Sequence, residues 1–163
     1  KYLLEFERGG SSYGPKLLAR AAKLRSLANE LGAMNPGLSR ALSDAEISAR
    51  ALETQELRLM SELSGGGTPG LTASMLKIRG TELSQRLTEL GVDIAGHYAA
   101  PFQPQGTSPG GPILNQPPTN DGVVGPDSLV TMSPKYFNDR AGSIYAGSNE
   151  IQKNILAKAQ IGL

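Results

Sequence analysis

Two carboxylates near the start of the chain, Glu5 and Glu7, are candidates for proton transfer. Glu7 follows Leu3 and Leu4 by four and three residues, so a helix would place it on an apolar face. Desolvation there would strengthen the carboxylate as a general base. Arg8 is adjacent and permanently charged, and it could hold an acceptor group of a ligand. The alternative is that these charged residues form a solvated face.

A second group lies near the other end of the chain, where Gly147 and Ser148 precede an amphipathic segment. Gly147 frees the backbone and Ser148 is a good N-cap, which together predict a final helix at about 149–159. The first N–H groups of that helix could bind a phosphate or another electron-rich group. Plain helix capping is the alternative role of Ser148.

The composition excludes several other functions. With no cysteine and one histidine, the chain has no disulfide framework, no thiolate nucleophile and too few ligands for a zinc site. That histidine, His97, is expected to be a loop residue. The formal net charge is +1, with the charges spread along the chain, so neither nucleic acid nor a membrane surface is an expected partner. No apolar run could span a bilayer, and the expected location is cytoplasmic.

Apolar residues repeat with helical spacing through most of the chain. They predict four helices before the final one, at about 15–31, 43–64, 69–90 and 133–141. Ser43 and Glu46 form a capping box that would open the second of these. At Gly80 the apolar stripe of the third shifts by one residue, which indicates a close approach or a bend. Lys77 and Arg79 are expected on a solvated or interface face.

The composition changes at about 96–132, where prolines interleave with glycines. Prolines cannot continue a helix, and irregular loops of this length are usually functional or partner-bound. The pattern as a whole predicts an all-α fold, an up-and-down helical bundle with one long Pro/Gly-rich loop.

The turn near the C-terminus resembles the signature of acyl-CoA dehydrogenases. In that family an aromatic residue, a variable residue, Gly, Ser or Thr, one more residue and Glu or Gln lead into the last helix, and 145–150 fits this pattern. The segment 73–83 also resembles the family helix along the tetramer core. The likeness implies that residues 1–163 are the C-terminal helical domain of a larger flavoenzyme, without its N-terminal helical and middle β-domains. The Gly-Gly-Ser-Ser-Tyr break at 9–13 and the Pro-rich loop resemble a bacterial subgroup acting on pimeloyl-CoA-like or bulky acyl chains.

The resemblance implies a reaction and a base. The family binds FAD and oxidises an acyl-CoA thioester to the 2-enoyl-CoA, by abstraction of an alpha proton and transfer of a beta hydride to the flavin. In many members the base is a Glu just before the Gly of the signature, where this chain has Ala146. Isovaleryl- and long-chain-type members instead carry their Glu before an Arg early in this domain, and Glu7-Arg8 matches that pair. Glu7 is therefore the implied base, and Glu5 is the reserve candidate.

The resemblance also implies the ligand contacts. The residues implied to contact the acyl-CoA substrate are Arg8, Tyr145, Ala146 and Gly147. The residues implied to contact FAD are Ser148, Asn149 and Glu150. No metal site is implied.

The implied partners are an electron-transfer flavoprotein or a similar acceptor, and further subunits in a homo- or hetero-oligomer, a dimer or tetramer. The chain alone is expected to be inactive, because most of the cofactor's partners would lie in other domains. Two alternatives remain open. One is a non-catalytic helical assembly subunit in which Ala146 marks lost chemistry. The other is an unrelated four-helix module whose terminal motif is a coincidence.

Overall fold

The structure is a computed structural model, and it describes residues 12–104 and 123–162. Glu5, Glu7 and Arg8 lie outside the described residues, as does the part of the predicted loop at 105–122. The described ranges contain helices and turns but no strand, which confirms the predicted all-α fold.

Five α-helices form the described fold. They are α1 (Gly14–Glu30), α2 (Pro36–Ser64), α3 (Gly70–Ala95), α4 (Met132–Asp139) and α5 (Asn149–Ile161). Short 3-10 turns occur at Gly96–Ala99, Asp127–Leu129 and Arg140–Ser143. The final helix therefore begins where the sequence predicts and runs two residues further.

The core lies between the three long helices, and α3 occupies its centre. Connections of five residues join α1 to α2 and α2 to α3, so that neighbouring helices run antiparallel. Helices α1 and α2 pack on each other and on α3, while α4 and α5 pack on α3. The buried side chains include Leu17, Ala21, Leu24 and Ala28 of α1, Leu42, Ala49, Leu52 and Leu59 of α2, and Leu76, Leu87, Leu90 and Ile94 of α3. Most of the apolar side chains that recur with helical spacing thus form the core, while Leu31 and Met75 of the same pattern are exposed.

The second helix begins earlier than the sequence predicts. Asn35 is its N-cap, and its side-chain oxygen accepts a hydrogen bond from the Leu38 N–H at 2.9 Å. Ser43 and Glu46 lie inside α2, where both accept hydrogen bonds from Arg25 of α1 at 3.1 and 3.0 Å. The predicted capping box was wrong because these two polar side chains face the neighbouring helix.

Helix α3 continues unbroken through Gly80. The ring of Tyr13 fills the space beside this glycine, since a Cβ at Gly80 would lie 2.4 Å from Cγ of Tyr13. Of the two possibilities raised by the shifted apolar stripe, the structure shows the close approach.

Candidate functional site

A cavity of about 420 Å³ lies among α2, α3 and the turn that joins α4 to α5. Tyr145, Ala146 and Gly147 of the turn line it, and so does Tyr13, which immediately precedes α1. Its apolar lining consists mainly of Leu59, Met60, Ala73, Leu76, Ile151 and Ile155. The same cavity is also lined by polar and charged side chains, among them Glu56, Ser74, Lys77, Ser84, Asp139 and Gln152. Its size is typical of small-molecule sites, which measure about 300–1,000 Å³.

The turn itself has an uncommon backbone. Ala146 and Gly147 have φ values of +51° and +85°, and Ala146 is the one non-glycine with positive φ in the described part of the chain. Such a conformation costs an alanine roughly 1–2 kcal/mol, so neighbouring contacts must hold it. The Tyr145 side chain is 59% exposed, and Ala146 and Gly147 are exposed as well. These three residues are therefore accessible to a ligand.

Lys77 of α3 holds both ends of this turn. Its ammonium donates hydrogen bonds to the Gly142 and Ser143 carbonyls at 3.4 and 3.3 Å and to Oδ1 of Asn149 at 2.9 Å. Burial lowers the pKa of Lys77, while the charge of Glu150 acts in the opposite direction. The prediction of a solvated or interface face for Lys77 was wrong, because its side chain lies on the cavity and bonds to the turn.

Asn149 lies inside the protein, with only 3% of its surface exposed. Besides Lys77, the hydroxyl of Thr81 lies within hydrogen-bond distance of its Oδ1 at 3.2 Å, and it shares its proton with the Lys77 and Ile78 carbonyls at 2.9 and 3.0 Å. Both donors come from α3 and lie four residues apart, which puts them on one face of that helix. The first residue of α5 is thereby attached to α3.

A second set of polar contacts fixes the segment just before the turn. Asp139 accepts hydrogen bonds from Arg20 at 3.1 Å and from Ser84 at 2.7 Å. Arg140 forms an ion pair with Glu89 at 3.0 Å. The end of α4 is thus bonded to α1 and α3, so that the turn leaves it at a fixed position.

Ser148 and Glu150 lie at the beginning of α5, where Glu150 is exposed and Ser148 is half-buried. Ser148 is the N-cap, and its hydroxyl oxygen accepts from the Ile151 N–H at 3.4 Å, which confirms the predicted cap. Hydrogen bonds from its own backbone N–H and from the Ser148 hydroxyl lower the pKa of Glu150, and Lys153 and Lys77 contribute in the same direction. A carboxylate here also complements the positive end of the helix dipole.

This pKa shift makes the stability contributed by Glu150 depend on pH. Because the folded pKa lies below the ordinary value of 4.5, the contribution is present above pH 4.5 and is lost as the pH falls through the folded pKa. We expect E150Q to lower the urea midpoint of the full-length protein at pH 7 and to lower it less at about pH 3. The control is E62Q, at an exposed position near the end of α2. An equal loss at both pH values would contradict this assignment.

Glu56 is a buried carboxylate of α2 that borders the same cavity. It accepts hydrogen bonds from the Ser12 hydroxyl at 3.2 Å and from the N–H groups of Tyr13 and Gly14 at 2.5 and 3.0 Å. Helix α1 has no side-chain cap of its own at its N-cap residue. Glu56 of the neighbouring helix α2 therefore caps the N-terminus of α1.

The comparison with protein families agrees with this geometry. The family model described as "Acyl-CoA dehydrogenase, C-terminal domain" matches residues 16–161. The chain belongs to the acyl-CoA dehydrogenase family. No curated protein and no solved structure matches it. The match excludes the alternative of an unrelated four-helix module.

In this acyl-CoA dehydrogenase domain, six of the eight predicted site residues lie in the described part, within the turn at 145–150. Tyr145, Ala146 and Gly147 border the cavity. Ser148, Asn149 and Glu150 follow at the start of α5, with the Asn149 side chain directed into the protein. The other two, Glu7 and Arg8, are outside the described residues.

The sequence analysis did not predict that Glu56 and Lys77 lie at the cavity, although the positions of both residues in the helical pattern indicate buried polar contacts. Glu56 stands in the apolar stripe of α2, four residues after Leu52 and three before Leu59. A carboxylate at such a position is buried only when donors from another segment meet it. Lys77 belongs to a polar stripe that continues at Thr81 and Thr88 of α3.

The part of the chain that the structure describes offers neither a metal site nor a membrane span. No cluster of three or more His, Asp or Glu residues there could hold a metal ion. Among the helices of residues 12–104 and 123–162, none combines the length and apolar character needed to cross a membrane.

Proposed function

We propose that the full-length protein containing this chain is an FAD-dependent acyl-CoA dehydrogenase that oxidises an acyl-CoA thioester to the 2-enoyl-CoA. The proposal rests on one observation, that the signature turn and the residue before α1 line the same cavity. Leu59, Leu76 and Ile155 give this cavity apolar walls that suit an acyl chain. The exposed turn would border the thioester, with Tyr145, Ala146 and Gly147 as its contacts.

The alpha proton needs an acceptor, and Ala146 cannot supply one. The proposal assigns this step to Glu7 and a substrate contact to Arg8. Glu7 lies six positions before Tyr13, and a chain of that length spans at most about 20 Å. The carboxylate is therefore attached within reach of the cavity that Tyr13 lines. The apolar part of the cavity wall also favours proton transfer, because a desolvated carboxylate is a stronger base.

Ser148 and Glu150 are the proposed FAD contacts. The exposed carboxylate of Glu150 and the half-buried hydroxyl of Ser148 suit the hydroxyls of the ribitol or adenosine side of the cofactor. Asn149 was predicted with them, and its side-chain oxygen has two protein donors, Lys77 and Thr81. Its proposed part is therefore to hold the start of α5 against α3. FAD, when bound, accepts the hydride that leaves the beta carbon.

The proposal extends to the partners and the substrate group. Electrons would pass to an electron-transfer flavoprotein or a similar acceptor, and the subunits would form a homo- or hetero-oligomer. The resemblance to the bacterial subgroup favours pimeloyl-CoA-like or bulky acyl groups.

The test is the anaerobic addition of acyl-CoA thioesters to the FAD-loaded full-length protein. We expect loss of the oxidised-flavin absorbance and formation of an equal amount of 2-enoyl-CoA. The chain 1–163 alone is the matched control and should show neither, because it supplies too few cofactor contacts. If the full-length protein bound FAD but no short, long or branched thioester bleached it, a non-catalytic assembly subunit would be the better account.

A further inference from the structure

The Tyr13 ring is fixed between two helices at the edge of the cavity. On one side it contacts α3 at Gly80, where three ring atoms lie 2.4–2.7 Å from the place a Cβ would take. On the other side its backbone N–H donates to the buried Glu56 carboxylate of α2. The ring is half-buried and packs against the main core.

The residue after Tyr13 also leaves no space for the backbone to move. A Cβ at Gly14 would lie 2.6 Å from Cβ of Glu53, so α1 starts in close contact with α2. The Gly14 N–H also donates to Glu56 at 3.0 Å. Since neither the backbone nor the ring has free space behind it, Tyr13 forms a rigid wall of the cavity.

We propose that Tyr13 limits the size of the acyl group that the cavity accepts, which rests on the proposed acyl-CoA dehydrogenase function. Leu59 and Leu76, which also line the cavity, are only 4% and 5% exposed and belong to the helix–helix core. Changing them would disturb the packing of the bundle. Tyr13 precedes the first helical residue, so its ring can be shortened with less effect on that core.

The hydroxyl of Tyr13 is expected to stay neutral during turnover. Burial raises the pKa of Tyr13, and the negative charge of Glu56 raises it further. A neutral ring presents an apolar body to the substrate. The wall therefore selects by size rather than by charge.

The experiment compares short, long and branched acyl-CoA thioesters as substrates of the FAD-loaded full-length protein. Tyr13→Leu removes most of the ring and should raise the ratio of kcat/KM for long or branched over short thioesters about tenfold. Tyr13→Phe keeps the ring and should leave the ratio unchanged. Gly80→Ala pushes the ring away from α3 and should move the ratio in the opposite direction, towards short thioesters.

The outcomes separate this inference from the proposed function. If thioesters bleached the wild-type flavin but Y13L and G80A both had the wild-type ratio of kcat/KM for long or branched over short thioesters, another residue would limit the size of the acyl group. The dehydrogenase proposal would stand. If none of the thioesters bleached the flavin of the wild-type protein, the proposed function would be wrong, and this inference would be wrong with it. Y13L keeps an apolar side chain so that the fold is retained. G80A tests the position of the Tyr13 ring independently, through a change in α3.

Discussion

Replacing Glu7 with Gln in the full-length protein is expected to slow the reduction of its flavin by acyl-CoA by roughly a thousandfold. A positioned general base contributes about 10²–10⁴ in rate, and a glutamine of the same size cannot accept the alpha proton. Binding of the thioester should change little, because shape and polarity are kept. Anaerobic stopped-flow mixing measures the bleaching rate, and a titration of the flavin spectrum measures the affinity.

The matched control for this substitution is E5Q, two residues earlier in the same acidic segment. It should bleach at nearly the wild-type rate, since Glu5 is only the reserve candidate. Loss of bleaching in E5Q with normal rates in E7Q would exchange the two assignments. Normal rates in both variants would remove this segment from the mechanism.

A second site offers a positive test of the same assignment. The resemblance places the base of many relatives at the position of Ala146, and the structure places this residue on the cavity. Ala146 already carries a Cβ at φ +51°, so a Glu there adds no backbone strain. We therefore expect Ala146→Glu to restore part of the bleaching that Glu7→Gln removes. No recovery would indicate that a carboxylate on the turn does not reach the alpha carbon.

The bundle could be predicted from the sequence because its helices are amphipathic in a simple way. Leu17, Ala21, Leu24 and Ala28 recur every three or four residues, and all four are buried. The first residue of each helix was harder to predict, since several nearby residues can serve as the N-cap. Near α2 the capping box at 43–46 was a strong pattern, yet Asn35 caps the helix eight residues earlier.

The site could be predicted only where its chemistry is local. Ser148 caps α5 because its own hydroxyl meets a nearby N–H, and Gly147 takes the positive φ that glycine favours. The same conformation at Ala146 has no local signal, because alanine does not favour positive φ. Glu56 likewise depends on which segment meets α2, since its donors lie more than forty residues earlier.

Lys77→Met is the substitution expected to disturb the turn most. It keeps the length of the side chain but leaves the Gly142 and Ser143 carbonyls without the ammonium and Asn149 without one of its two donors. A charged donor contributes about 1.5–3 kcal/mol per hydrogen bond, and Lys77 is only half-buried, so we expect the free energy of unfolding to fall by roughly 2 kcal/mol. Thermal unfolding of the full-length protein measures this loss.

The same substitution should slow flavin reduction by about 10–100-fold, because Tyr145, Ala146 and Gly147 would leave the position that borders the thioester. The control is R79M on the same helix, whose side chain is 68% exposed and pairs with Glu82 at 3.7 Å. It should change neither quantity much, since exposed ion pairs contribute little. If K77M lost stability but reduced flavin as fast as R79M, Lys77 would hold the bundle together without placing the turn. The signature turn would then keep its geometry through the contact of Thr81 with Asn149 and through the polar contacts of Asp139 and Arg140.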